Sequence, residues 1–166
     1  MSMRLAFLSW LLSAALAVGC GADDGNSTEA EPQPRPPAAA PPSVSGLEAP
    51  PPAWLETQNG SYWLGFSTFC WKGGCADYTA PSCRDGEHVP KIGLRRAELV
   101  TAHLGFEPRE VMLTYFSETM PPGSDQQTLT AGRDPEWRIE REGAFSLFAI
   151  ATQGGDASYV GCVTLE

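Results

Sequence analysis

Five cysteines and two histidines have the widest chemical reach of any side chains in this 166-residue sequence, and their spacing divides the cysteines into two groups. Cys20 closes the apolar run Leu5-Ala6-Phe7-Leu8-Ser9-Trp10-Leu11-Leu12-Ser13-Ala14-Ala15-Leu16-Ala17-Val18-Gly19, whereas Cys70, Cys75, Cys83 and Cys162 all lie beyond residue 69. A start carrying Arg4, an apolar stretch too short to span a bilayer and small residues ahead of Cys20 make a signal for export. Export leads to an oxidising compartment, where four thiols form two disulfides by default, and four cysteines allow three pairings. Cys70 with Cys75 is favoured, because Trp71-Lys72-Gly73-Gly74 can fold two hairpin arms face to face, and Cys83 is then left for Cys162. Zinc is the competing use of these thiols, but the spacings lack paired C-x-x-C units.

Catalytic chemistry has weaker support. Ser67, Ser82 or Ser158 could meet His88 or His103 only across the fold, and the chain has no G-x-S-x-G, no H-E-x-x-H and no glycine-rich phosphate loop opening a helix. His88 lies near Pro90 in a loop and His103 on the polar side of a strand, so both read as surface or internally satisfied histidines. Asp77 and Asp156 would form an acid/base pair only if their loops met at one end of the fold; carboxylates in such places more often cap turns. No enzyme, metal or cofactor is expected.

The segment Leu16-Ala17-Val18-Gly19-Cys20 resembles the bacterial lipobox, with the departure that Leu16 lies four residues before the cysteine and Ala17 takes the usual place of Leu. The resemblance implies that residues 1–19 are a lipoprotein signal peptide and that Cys20, acylated, begins the mature chain. Each buried acyl methylene contributes about 0.8 kcal/mol, so several chains on one cysteine hold a small protein on a membrane almost permanently. Gly21 follows, whereas Asp there would resemble the inner-membrane retention signal of Gram-negative cells; the outer membrane is favoured in a cell with two. The alternative is an ordinary signal peptide cut elsewhere.

Residues 20–53 are expected to be a disordered tether. Between Gly21 and Ala53 lie nine prolines and almost nothing large and apolar beyond Val44 and Leu47. Residues 54–166 are long enough for one domain with one core. The mature chain carries 20 acidic against 10 basic residues, since only Arg4 leaves with the signal, and that balance argues against nucleic acid as a partner.

Alternation of period two dominates this domain. Residues 61–71 mix aromatic and small side chains, Lys72-Gly73-Gly74 signals a turn, and 75–78 return. Residues 110–117 are apolar on both faces, as a central strand would be. Residues 144–152 and 157–165 flank Gly154-Gly155 in the clearest hairpin, with Tyr159, Gly161, Val163 and Leu165 on one face of its second arm. Residues 94–106 contain helix formers, but Val100, Ala102, Leu104 and Phe106 keep a period of two and predict a strand. Shorter strands are expected near 88–92, 127–131 and 136–139. About seven or eight short strands with turns between them predict an all-β fold, a disulfide-containing antiparallel β-sandwich of immunoglobulin-like type.

Gly60-Ser61-Tyr62-Trp63, the run from Cys70 through Trp71-Lys72-Gly73-Gly74-Cys75-Ala76-Asp77, Phe106-Glu107-Pro108-Arg109-Glu110-Val111 and Gly155-Asp156-Ala157-Ser158-Tyr159 resemble small uncharacterised bacterial lipoproteins that pair a lipobox and linker with one β-sandwich domain. That resemblance implies architecture and a place in the cell envelope and carries no activity. A binding role follows from the aromatic residues. Trp71 beside a tight turn, with Trp54, Tyr62, Trp63, Tyr78 and Tyr159, offers amphipathic rings suited to stacking on sugars or burying against a protein. The binding surface is expected around Trp71, Asp77, Tyr78, Asp156 and Tyr159, with an envelope protein or cell-wall component as partner. An inhibitor or accessory subunit that uses the disulfide-stiffened loop as a probe is the alternative.

Overall fold

At Leu64 the chain changes sheets. In the computed structural model, which describes residues 34–44, 48–78, 81–84, 88–116 and 125–166, strands β1 (Trp54–Thr57) and β2 (Gly60–Trp63) form a hairpin that sends Leu55 and Tyr62 inward and Trp54, Glu56, Ser61 and Trp63 outward. The Leu64 amide then donates to Ala53 O, and β3 (Gly65–Trp71) continues into a different sheet with β4 (Gly74–Ala76). The run expected over 61–71 is therefore two strands in two layers.

The remaining strands are β5 (Lys91–Leu94), β6 (Leu99–His103), β7 (Pro108–Phe116), β8 (Asp125–Leu129), β9 (Glu136–Arg138), β10 (Gly143–Ala151) and β11 (Asp156–Leu165). The smaller sheet has the order β2-β1-β6-β9 and the larger β4-β3-β11-β10-β7-β8. β5 lies parallel to the last residues of β11, on the flank that β3 occupies earlier. All other pairs are antiparallel. Eleven strands among the described residues replace the seven or eight expected, because several predicted runs are broken by turns.

One such break falls within residues 94–106. Ala97 has φ 62°, and buried Glu98 accepts from the Arg95 amide at 2.8 Å and the Gln58 amide at 2.9 Å, so a tight turn separates β5 from β6. A carboxylate out of water needs such donors, and these two bonds pin the turn after β1 to the turn before β6.

The two sheets pack face to face around Leu55, Val100, Ala102 and Trp137 on one side and Phe69, Val111, Leu113, Phe145, Leu147, Tyr159 and Val163 on the other. Period two explains the choice on each strand: in β10, Phe145, Leu147 and Ala149 are buried in this core while Phe148 and Ile150 on the opposite face are half-buried. β7 lies between β8 and β10, as its two apolar faces predicted.

Both favoured disulfides are formed. Cys70–Cys75 closes the β3–β4 hairpin, whose register sets the two cysteines opposite each other. Cys83–Cys162 fastens a loop onto the outer face of β11, where Val89 and Val160 make a small second cluster with Cys162. Neither bond crosses between the sheets as the bridge of an immunoglobulin domain does. Two closed disulfides are the chemistry of an extracytoplasmic compartment.

The compact unit begins at Pro34, not at Trp54. Ser61 Oγ donates to Arg35 O at 2.8 Å, Trp63 Nε1 to Ala39 O at 2.7 Å and Tyr159 Oη to Pro51 O at 2.6 Å. Lys72 pairs with Glu48, Val44 and Ala49 pack against the core, and Ala53 is buried within it. The described part of the expected tether is thus laid against the sandwich. Prolines lack amide hydrogens but keep their carbonyls as acceptors, and a chain already restricted by proline loses less entropy when it docks.

Candidate functional site

Among the described residues, a cleft is built at the Gly65 end of β3 from pieces far apart in the sequence. Trp63, Leu64, Gly65 and Phe66 form one wall, Tyr78 follows β4, and His88 and Pro90 precede β5. Ala40, Pro42, Ser43 and Val44 of the proline-rich segment make the opposite wall, and the cleft holds about 550 Å³. That volume lies within the usual range for a ligand site.

Gly65 sets the geometry. A Cβ on this residue would sit 2.1 Å from His88 O, so only glycine lets residues 88–90 cross the start of β3. The Cys162 amide bonds to Pro90 O at 2.8 Å, and the Cys83–Cys162 disulfide holds the same loop. Tyr78 presents its ring to solvent, with 43% of its surface exposed, while Phe66 and Trp63 are half-buried. Large rings on a rigid frame, interleaved with polar groups such as Ser43 and His88, suit an extended chain or a sugar face.

The expected surface around Trp71 divides. The two hairpin tips do converge: Trp71 lies against the Gly154–Gly155 turn, where a Cβ on Gly155 would come within 2.9 Å of its ring. Gly155 also has φ 93°, a second reason for glycine. Trp71 is not the exposed probe that its tight loop suggested, however. Its ring packs on Phe106 with centroids 5.1 Å apart and is half-buried beside a smaller groove of about 360 Å³ that includes Pro51, Lys72 and Glu107.

Tyr159 leaves the set altogether. It has no exposed surface, its hydroxyl is satisfied by Pro51 O, and burial pushes its phenol well above the ordinary value. Asp77 and Asp156 do not meet. Asp77 accepts from Thr68 Oγ1 at 2.9 Å on one flank of β3, and Asp156 is opposite Cys70 on the other. Tyr78 alone of the expected surface lines the larger cleft. Cys20 lies outside the described residues.

Of the histidines, His88 is exposed at the cleft wall. His103 is held on the outer face of the smaller sheet, with Nε2 2.8 Å from Glu56 Oε2 and Nδ1 2.6 Å from Asp134 Oδ1. Trp54, its register partner on β1, stacks on it with centroids 3.8 Å apart. Both ring nitrogens are thus taken by carboxylates, in keeping with an internally satisfied histidine.

Sequence reasoning named Trp63 among its candidate rings but missed the wall made by residues 40–44 and the parts played by Phe66 and His88. The signal was present in the pairing of a proline run, rich in carbonyl acceptors, with Ser61 and Trp63, two donors on one face of a short strand. No family profile, curated protein or solved structure matches this chain.

Proposed function

We propose that this chain is a lipid-anchored, non-catalytic protein of the cell envelope whose extracytoplasmic sandwich binds a protein or cell-wall component in the cleft beside Trp63, Phe66 and Tyr78. The cleft carries this reading: three aromatic rings, two from residues 63–66 and one from Tyr78, converge on a volume of about 550 Å³, and Tyr78 keeps a large exposed face there. Support for the location comes from the two disulfides and from the export signal ending at Cys20. Acylation at Cys20 would hold the domain on a membrane, with the outer membrane as its place in a two-membrane cell.

Two measurements test this. A photo-crosslinking amino acid placed at Tyr78 in cells is expected to give discrete adducts with an envelope protein or with glycan, whereas the same group at Lys72 gives few. An absence of adducts at 78 removes the cleft as the binding site. Metabolic labelling with a fatty acid is expected to mark the wild-type chain and not Cys20→Ser, and equal label in both removes the anchor.

A further inference from the structure

The cleft already holds one segment of defined chemistry against its upper edge. Of residues 34–44, five are proline: Pro34, Pro36, Pro37, Pro41 and Pro42. Such a stretch cannot supply a hydrogen-bonding ladder, but its prolines favour extended pieces with outward carbonyls on either side of a bend at Ala38 and Ala39. β2 is an edge strand, and it meets this segment with side chains alone: Ser61 Oγ on Arg35 O and Trp63 Nε1 on Ala39 O. Ser61 and Trp63 stand two residues apart and so share one face of β2, spaced to reach two carbonyls of a passing chain. The indole is a donor only, so its partner must be an acceptor.

Beyond Ala39 the cleft continues past the rings of Phe66 and Tyr78 and Pro90, beside Pro42 and Val44. Donors aimed at carbonyls and an adjoining row of rings are how aromatic grooves take proline-rich peptides, because this scheme asks nothing of the missing amides. Neither disulfide includes residues 34–44, so the contact is held by non-covalent bonds and can exchange.

We propose that the outer edge of β2, together with the adjoining cleft, is a receptor for proline-rich extended peptide segments, and that residues 34–44 occupy it in cis until a partner's proline-rich segment replaces them. This deepens the binding reading above and rests on it. A segment on the same chain competes at an effective concentration in about the millimolar range, so a partner must present its own segment tethered nearby or in several copies. Two molecules on one membrane meet that condition.

The test uses the mature full-length chain in two forms, wild type and a form whose residues 34–44 are replaced by glycine and serine at equal length. The probe is a labelled synthetic peptide with the sequence of residues 34–44, followed by fluorescence anisotropy. The replaced chain is expected to bind it saturably, and the wild type at least about tenfold more weakly because its site is filled. A peptide with every proline changed to alanine is expected to bind at least about fivefold more weakly, since it is no longer pre-extended. An unchanged affinity for the alanine peptide, or no saturation by a replaced chain that keeps its near-ultraviolet dichroism, overturns the proposal.

A second arm needs only the wild-type segment. Trp63→Phe removes the indole donor and is expected to speed elastase cleavage between Ala38 and Ala40 by about fivefold, the equivalent of one lost hydrogen bond. An unchanged rate overturns the docking of residues 34–44. Adducts from position 78 together with a failed peptide arm would leave the cleft as a binding site and remove proline-rich segments as its ligand; peptide binding without adducts would do the reverse.

Discussion

The two ends of β3 were built from similar materials, tryptophan, glycine, tyrosine or phenylalanine and a disulfide nearby, and came out differently. At the Trp71 end the cysteines are five residues apart in sequence, the loop is tight, and the indole is pressed between Phe106 and the Gly154–Gly155 turn. At the Gly65 end the disulfide joins residues 79 apart, the loop it holds crosses the strand, and Trp63, Phe66, Tyr78 and His88 are left around an open cleft. A short covalent loop collapses onto its neighbour because nothing keeps the two apart. An opening survives where distant segments meet and each is held by its own bonds to the frame.

Cys83→Ser should separate the two ends most strongly. The chain-entropy account of a long closed loop gives a loss of about 4.5 kcal/mol, read as a lower urea midpoint, with the cleft at the Gly65 end disordered first. Gly65→Ala comes next. Its Cβ would collide with His88 O, a backbone atom that cannot swing aside, so a loss of about 3 kcal/mol is expected in the same titration, with an unchanged dependence on urea. At the opposite end, Cys75→Ser removes a short loop and should cost about 2 kcal/mol while adducts at position 78 persist. If Cys75→Ser proves the more damaging of the two cysteine changes, the contrast between the ends is wrong.

Tyr159→Phe probes the link between the proline-rich segment and the core. Losing its bond to Pro51 O should cost about 1 kcal/mol at neutral pH. Its pH dependence has a definite sign. Burial raises the phenol in the folded state, so on going above about pH 10 the unfolded chain ionises first and stability falls, by up to about 1.4 kcal/mol per pH unit for one tyrosine. Below that pH the contribution is complete and flat. Tyr159→Phe should therefore reduce the alkaline loss seen in thermal melts, leaving the part due to Tyr115, which burial also raises despite Trp137 and Arg141 beside it. Tyr78→Ala should change stability least, by under about 0.5 kcal/mol, while lowering binding in the cleft.

Much of the frame was legible. The turn at Gly154-Gly155 marked β10 and β11, two apolar faces marked β7 as central, and the Lys72-Gly73 turn set Cys70 opposite Cys75. Leaving Cys162 for Cys83 then followed by elimination. Those features rest on neighbours in sequence or on alternation, where local chemistry decides. The candidate site was less legible. Tyr159 was correctly placed on one face with Gly161 and Val163, but alternation names two faces without saying which one another sheet will cover.

The proline-rich stretch shows the same division. Its composition determined that it could not build a core or a ladder of its own, and the alternating runs after Trp54 determined a sandwich tied by two disulfides. Long-range packing, by contrast, laid residues 34–44 along β2, covered Trp71 and left Tyr78 exposed. The physical reason is one of range: periodicity and turn chemistry act over a few residues, whereas a cleft depends on which distant surfaces remain after the sheets have packed.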